Sequence, residues 1–138
     1  MTEQEFDFER WEAAIGKVVL ACARVEYELI GLYEKWMPDR IYHDDSYEGR
    51  YDKAIGVARS SLPKGNEIAT NLIEMKKYAR YRHLVAHNPI HYSSESDTWK
   101  IFDLKNNEIE VSLSELEEIS GKAYKLSVQT AVLLRVNV

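Results

Sequence analysis

One short segment of the chain concentrates the residue types that act on phosphate groups. Arg82, His83 and His87 fall within six residues of one another, just before Pro89. An arginine guanidinium presents a fixed fork of donors that stabilises charge on phosphate oxygens. An imidazole takes up or releases a proton near neutral pH. These residue types predict a functional centre at Arg82 and His87 that can bind and polarise a phosphate.

Other polar residues are candidates for supporting roles. Asn88 is a candidate to orient His87 or to contact phosphate, and Glu26, from the first predicted helix, is a candidate partner for Arg82. Basic and aromatic residues alternate upstream, a mixture that can bind single-stranded RNA. These RNA-binding candidates are Lys76, Lys77, Arg80 and Tyr81. For the two lysines a solvated helix face is the favoured alternative.

The two histidines also raise the alternative of a metal site. His83 and His87 stand four residues apart, a spacing that can place two ligands on one helix face. No cysteine or acidic residue that would complete the ligand set stands close by in the sequence. The sequence therefore predicts a site without metal or cofactor.

Composition limits the class of protein. The 138 residues predict a single domain, 1–138, and 45% hydrophobic residues are enough for a core. A net charge of −5 argues against a general nucleic-acid coat but leaves room for a small basic cleft. The single cysteine, Cys22, excludes an internal disulfide framework and fits a reducing cytosol. The acidic N-terminus and the short apolar stretch at 18–23 predict a cytoplasmic protein without a membrane span.

Apolar residues at helical spacing predict the first three helices. The first covers about 6–37, with apolar positions at Phe8, Trp11, Ile15, Val18, Cys22, Val25, Leu29, Leu32 and Trp36. The second covers about 48–61, with apolar positions at Tyr51, Ile55, Ala58 and Leu62. The third runs from about 66 to 87, and its buried side is predicted to carry Ile68, Leu72, Met75, Ala79, Arg82 and Ala86. Arg82 therefore stands where the repeat asks for an apolar side chain, and sequences tend to break local rules at functional sites.

Beyond Pro89 the period changes. Alternating residues at 98–104 and 108–111, separated by a turn at 105–107, predict a β-hairpin. Ser112 and Glu115 resemble a capping box that opens a fourth helix, to about Leu134. Its inward residues are predicted to be Leu116, Ile119, Ala123, Leu126, Thr130 and Leu133. The predicted fold is all-α: an up-and-down four-helix bundle with a small hairpin before the last helix.

The segment from Arg82 to Asn88 (Arg-His-Leu-Val-Ala-His-Asn) resembles the signature of the HEPN superfamily, the higher eukaryotes and prokaryotes nucleotide-binding domains. That signature is an arginine, a polar residue, a few mostly apolar residues and a histidine. The first helix, around 23–29, is also similar to the long opening helix of such proteins. The resemblance covers the helical frame loosely, over about 8–135, and one short motif specifically.

The resemblance implies an up-and-down helical bundle that is commonly homodimeric. Catalytic members of the superfamily are metal-independent endoribonucleases of toxin–antitoxin, phage-defence and CRISPR systems. It implies Arg82 and His87 as the catalytic pair with His83 in support, RNA as the substrate and an antitoxin protein as a partner. Some toxins of the superfamily carry a tyrosine two residues after the histidine, where this chain has Pro89. Two alternatives stay open: an inactive module of the same fold that binds a partner protein or a nucleotide, and an unrelated helical interaction protein.

Helix geometry does not favour a site formed by Arg82 and His87 of one chain alone. Residues five apart on a regular helix point about 140° apart. Arg82 and His87 therefore do not share a face by spacing alone. A two-fold dimer would supply an answer, because it could bring both side chains of each copy into one composite cleft.

Overall fold

The computed structural model describes residues 6–103 and 110–138, and it is mostly helical with a small three-stranded antiparallel sheet. Its helices are α1 (Phe8–Trp36), α2 (Tyr47–Ser61), α3 (Gly65–Lys77), α4 (Ala79–His87) and α5 (Leu113–Asn137). Its strands are β1 (Ile90–Ser93), β2 (Thr98–Phe102) and β3 (Glu110–Ser112). Over this described part of the chain, no helix combines the length and the apolar character needed to cross a membrane.

The first helix follows its predicted pattern through most of its length. It begins after Asp7, whose side chain accepts a hydrogen bond from the backbone N–H of Arg10. Six of the central predicted positions are fully buried, and Ile15 is partly buried against the core. The fully buried ones are Trp11, Val18, Cys22, Val25, Leu29 and Leu32. The prediction is wrong at the two ends, where Phe8 and Trp36 are exposed. They are the first and last residues of the helix, where its apolar side no longer packs against other parts of the chain.

The α2–α3 hairpin depends on a glycine. All four predicted apolar positions of α2 are buried, as are Ile68, Leu72 and Met75 of α3. The chain turns between the helices through Lys64, which has a left-handed backbone with φ 54°. Gly65 then lies so close to α2 that a Cβ atom built on it would stand 1.8 Å from the carbonyl oxygen of Ala58. Only a residue without a side chain permits this approach.

The order of the helices differs from strict up-and-down alternation. Arg10 of α1 pairs with Glu117 of α5, and Glu28, further along α1, pairs with Arg135, further along α5. Residue numbers therefore increase in the same direction along both helices, so α1 and α5 run parallel. In a strictly alternating four-helix bundle the first and last helices would be antiparallel. The helices α3 and α4 lie against α1 in the opposite direction, because Leu84 packs with Trp11 whereas Leu72 packs with Leu29.

The sheet is larger than the predicted hairpin. β2 and β3 pair antiparallel, with Ile101 opposite Val111, and they agree with the predicted strands. The strand β1 was not predicted; it pairs with β2 and places Ile90 opposite Ile101. The predicted turn at 105–107 lies outside the described residues. The predicted cap of the last helix is confirmed, since Ser112 accepts the backbone N–H of Glu115 and α5 begins directly after it.

The predicted third helix is interrupted at Tyr78. At this residue φ is −75° and ψ is −11°, a flatter ψ than the α-helical value. The backbone N–H of Tyr78 donates to the carbonyl of Met75, and that of Tyr81 donates to the carbonyl of Tyr78. Such three-residue hydrogen bonds tighten a helix turn and change the direction of the side chains that follow. The chain therefore enters α4 with a new buried face.

An ion-paired aspartate fixes the loop before α2. Asp45 accepts a hydrogen bond of 2.7 Å from the Tyr33 hydroxyl and one of 2.8 Å from the Lys53 ammonium. The hydrogen bonds from Lys53 and Tyr33 hold the pKa of the Asp45 carboxyl below its ordinary value. The loop thereby sets where α2 begins, and with it the position of Tyr47.

Asp45→Asn is expected to lower the urea midpoint of unfolding at neutral pH, because the ionised carboxylate is stabilised only in the folded chain. A depressed folded pKa contributes stability that is present above the unfolded pKa, about 3.9 for aspartate, and that is lost as the pH falls below it. The difference between the two proteins should therefore shrink in urea titrations carried out at progressively lower pH below about 4. The exposed Asp39→Asn serves as the control. A difference that stays constant down to acid pH would contradict the ionic explanation.

Candidate functional site

Arg82 does not lie on the buried side of its helix, and the prediction that it does is wrong. The interruption at Tyr78 turns Tyr81, Leu84 and Val85 toward the core. Leu84 is the buried residue of α4, whereas the predicted Ala86 is exposed. The Arg82 side chain is 42% exposed. Its charge is therefore not forced into the core, and the fold leaves much of its guanidinium available to solvent.

Two side chains from other helices hold Arg82 in place. Its Nη2 lies 3.8 Å from Oε2 of Glu26 on α1. Its Cζ lies 5.3 Å from the ring centre of Tyr47 on α2, within the range of a cation–π contact. The guanidinium is thus positioned from two sides, by a carboxylate and an aromatic ring.

Glu26 has stronger partners than Arg82. Its Oε1 accepts the Tyr42 hydroxyl at 3.0 Å and Nη1 of Arg50 at 3.2 Å. Nε of Arg50 also donates to the backbone carbonyl of Tyr42, at 2.9 Å. The side chains of Glu26 and Arg50 are only 15% and 16% exposed. Since buried charges need close partners, Arg50 satisfies this carboxylate and Arg82 is its more distant and more exposed neighbour.

The aromatic side of the Arg82 site is neutral. The Tyr47 hydroxyl donates to the Tyr51 hydroxyl at 3.3 Å. Burial raises the pKa of Tyr47 above its ordinary value, with the neighbouring Tyr51 adding to the rise. Tyr47 is therefore protonated at neutral pH and offers Arg82 a ring face. The sequence pattern did not point to Tyr42, Tyr47 or Arg50, whose signal is a loop and helix start rich in tyrosine.

The structure brings the two histidines together, but it does not bring Arg82 and His87 together. His83 and His87 are exposed on successive turns of α4, and their ring centres are 4.6 Å apart. Arg82 points toward Glu26 and Tyr47 instead. Within residues 6–103 and 110–138, no three His, Cys, Asp or Glu side chains gather as a metal-binding group.

A surface groove of about 610 Å³ collects most of the predicted basic residues. It is bordered by α2, α3 and α4, and its polar lining consists of Lys76, Lys77, Arg80, Arg82, His83, Tyr47, Glu48 and Asp103. His87 is not among the lining residues; it stands one turn beyond His83. Four basic side chains stand against the acidic Glu48 and Asp103 in this lining. Asp52 and Glu74 beside it pair with the two lysines, so an anion binds there by replacing those carboxylates.

The three remaining basic candidates keep their charge accessible. Lys76 pairs with Asp52 and Lys77 pairs with Glu74, in each case with N to O distances under 3 Å. Exposed pairs of this kind are weak and exchange readily with other anions. Arg80 is exposed, with its guanidinium 5.9 Å from the ring centre of Tyr81.

Two predicted residues have local structural contacts. The Asn88 side-chain amide donates to the carbonyl of Leu84 at 3.1 Å, and its backbone N–H donates to the same atom. Asn88 therefore closes the C-terminal turn of α4 and fixes the segment that carries His87. Tyr81 is partly buried against the core. Its ring supports Arg80 rather than standing free in the groove.

Comparisons with known proteins give no relative. No protein family, no curated protein and no solved structure matches this chain. The resemblance to the HEPN superfamily thus continues to depend on the motif at 82–88 and on the general helical frame.

Proposed function

We propose that this chain is a metal-independent endoribonuclease of the HEPN type, acting as a toxin or in phage defence. The observation that supports the proposal is that Arg82 is held in place while its guanidinium stays accessible. It is held by Glu26 and Tyr47, yet the carboxylate is already satisfied by Arg50 and Tyr42, and the guanidinium opens into a basic groove. An arginine that the fold positions but does not need for its own charge balance is suited to bind an external phosphate.

The groove can accept the sugar–phosphate backbone of an RNA strand. Arg82 binds the reacting phosphate, and Lys76, Lys77 and Arg80 bind its neighbours along the strand. The pairing of both lysines with acidic residues costs little to break. A cellular RNA substrate implies a cytoplasmic location for the enzyme, and a toxin of this type would have an antitoxin protein as its partner.

The chemistry needs no nucleophile from the protein. The ribose 2′-oxygen forms a bond to the adjacent phosphorus, and the bond from phosphorus to the 5′-oxygen breaks. One product ends in a 2′,3′-cyclic phosphate and the other begins with a 5′-hydroxyl. The 2′-hydroxyl proton passes to one imidazole of the His83–His87 pair, and the departing 5′-oxygen receives a proton from an imidazolium. Arg82 stabilises the charge that develops on the non-bridging phosphate oxygens.

Incubation of the purified chain with mixed RNA in excess EDTA tests the proposal. Wild-type protein is expected to produce fragments with 2′,3′-cyclic phosphate ends, and Arg82→Ala should reduce the cleavage rate at least tenfold, as for loss of a charge-stabilising donor. Arg59→Ala, an exposed arginine in the last turn of α2, is the matched control. Wild-type cleavage no faster than that of Arg82→Ala would refute the proposal.

The Glu26 contact favours a second candidate, an inactive module of the same fold. In that case Arg82 is an ion-pair partner of Glu26, and the groove binds a nucleotide or an acidic partner protein without cleaving it. The two candidates predict different results for RNA in the same assay. Salt-sensitive binding of RNA or of a nucleotide, without fragments, would support the module.

A further inference from the structure

The carboxylates in and beside the basic groove differ in the partners that they have. Asp52 and Glu74 each bind a lysine, at 2.8 and 2.7 Å, so each is the counter-ion of a cation that a phosphate can take over. Glu48 lines the groove itself, in the first turn of α2, and it is exposed. Within residues 6–103 and 110–138 its carboxylate makes no hydrogen bond and no ion pair. Glu48 is thus an acceptor group that the folded chain leaves unused.

The position of Glu48 is unfavourable for a ligand that is phosphate alone. The hydrogen bond from Lys76 to Asp52 raises the pKa of the Lys76 ammonium above its ordinary value, and the charge of Glu48 adds to the rise. Glu48 is therefore close enough to Lys76 to repel the phosphates that the lysine attracts. The uncharged donors of RNA are the ribose hydroxyls, which lie beside the phosphates, and the base edges, which lie further away. A base edge is accordingly the group of an RNA strand that suits Glu48 best.

An apolar side chain stands in the groove where a base can rest. Ile73 is 38% exposed and lines the groove. It lies one turn before Lys76 and Lys77 on the same side of α3. Ala79 and the ring of Tyr47 make up the rest of the apolar lining. Proteins hold unpaired bases against aromatic and apolar side chains, so the groove offers a base a surface as well as a hydrogen-bond acceptor.

We propose that Glu48 selects a guanine base next to the phosphate that Arg82 binds. A carboxylate only accepts hydrogen bonds, and its two oxygens lie side by side. Guanine is the RNA base whose pairing edge presents two adjacent donors, N1–H and the N2 amino group. Uracil, adenine and cytosine each present one donor on that edge, with an acceptor beside it. Only guanine therefore satisfies both oxygens of Glu48 without turning an acceptor toward them.

The fold places Glu48 beside the Arg82 site. Glu48 directly follows Tyr47, whose ring centre is 5.3 Å from Cζ of Arg82. The base of the nucleotide held at Arg82 is thus the one best placed to reach Glu48, and the expected preference is for guanine next to the cleaved bond. This selection rests on the proposed ribonuclease function, because it concerns the substrate of the same groove.

The first turn of a helix also favours an acidic residue without any ligand, because it carries a partial positive charge. Glu67 stands in the first turn of α3 and is exposed, as Glu48 is in α2. Glu67 is not among the residues that line the groove. It reproduces the effect of the helix end without a base contact, so Glu67→Gln is the matched control for Glu48→Gln.

Binding of oligonucleotides that cannot be cleaved tests the proposal. The probes are four 2′-O-methyl uridine hexamers, three of them with one central G, A or C, and their blocked 2′-oxygens prevent cleavage. Fluorescence anisotropy at one fixed salt concentration measures the dissociation constants. The wild type is expected to bind the G probe about tenfold more tightly than the others, as for one bidentate base contact.

In Glu48→Gln the preference for G should fall below about threefold, because the amide replaces one acceptor by a donor. Its affinity for the all-uridine probe should be unchanged or slightly higher, since a repelling charge is gone, and this result shows that the groove is intact. Glu67→Gln should keep the wild-type preference. An unchanged preference for G in Glu48→Gln would overturn the role of Glu48.

The wild-type results separate this proposal from the proposed function. Equal binding of the four probes, or a preference for another base, would overturn the selection of guanine, and cleavage of mixed RNA in EDTA would still support the ribonuclease. A preference for G without any cleavage would support the base contact and refute the ribonuclease. A wild type that binds none of the probes would overturn both.

Discussion

His87→Ala is expected to lower the rate of RNA cleavage by about a hundredfold or more, the usual contribution of a general acid or base. The resemblance implies His87 as a catalytic residue, and the structure places its ring next to that of His83, which lines the groove. His83 and His87 are both exposed, and their rings are 4.6 Å apart at the end of α4. One imidazole can therefore accept a proton while its neighbour donates one. The measurement is the single-turnover cleavage rate of a labelled RNA in EDTA.

His43→Ala is the control for this experiment, since His43 is an exposed histidine in a different part of the chain. His83→Ala distinguishes the two roles within the pair. His83 lines the groove whereas His87 stands one turn beyond it. A larger loss for His83→Ala than for His87→Ala would transfer the main proton-transfer role to His83. Unchanged rates in both variants would remove the histidine pair from the mechanism.

Gly65→Ala is expected to lower the free energy of unfolding by about 3 kcal/mol, at the upper end of what overpacking typically costs. The added Cβ would stand 1.8 Å from the carbonyl oxygen of Ala58 and 2.7 Å from its carbonyl carbon. These are backbone atoms of α2, so no side-chain rotation can relieve the overlap. The helices α2 and α3 must separate, and the buried contacts of Leu62 and Ile68 loosen with them. Urea unfolding followed by circular dichroism measures the change.

Gly56→Ala is the matched control for this substitution. Gly56 lies in the interior of α2, is exposed, and an added Cβ would meet nothing within 4 Å. Alanine favours a helix over glycine by about 0.5–1 kcal/mol, so this variant should be slightly more stable than the wild type. The same chemical change is thus expected to act in opposite directions at two positions. A Gly65→Ala protein as stable as Gly56→Ala would contradict the close approach of the two helices.

Those features of the helices that depend on residues close together in the chain were predictable from the sequence. The steps of three and four in α1 predicted its buried side correctly between Trp11 and Leu32. All four apolar positions predicted for α2 are buried, although the buried Ala54 was not among them, and the Ser112 cap of α5 is confirmed. In each case neighbouring residues carry the information. The parallel course of α1 and α5 depends on contacts between distant parts of the chain, and periodicity does not record them.

The interruption at Tyr78 shows where periodicity misleads. No glycine or proline stands near Tyr78 to mark a break in the helix. The prediction therefore extended the buried side of the helix from Met75 to Arg82. The sequence nevertheless contains a second set of apolar residues at helical spacing, Tyr78, Tyr81 and Val85. This set is the one that packs against the core in α4. A second set of apolar residues at helical spacing, on a different side of one predicted helix, is a signal that the helix changes direction.

The site was predictable in residue type but not in arrangement. The sequence identified Arg82, the histidines and the basic residues of α3 and α4. It did not identify Arg50 as the main partner of Glu26, nor Tyr47 beneath Arg82, since both come from a different helix. Those contacts decide how free Arg82 is, and they follow from the packing of α2 against α1.

The parallel pair of α1 and α5 has a consequence during synthesis. α1 emerges from the ribosome first, whereas α5, its most extensively packed neighbour, emerges last. At the usual rate of translation, the interval is on the order of ten seconds. During this interval, part of the buried side of α1 has no native partner. The nascent chain therefore has to shield apolar surface until translation is nearly finished, which makes its early folding dependent on chaperones or on transient local packing.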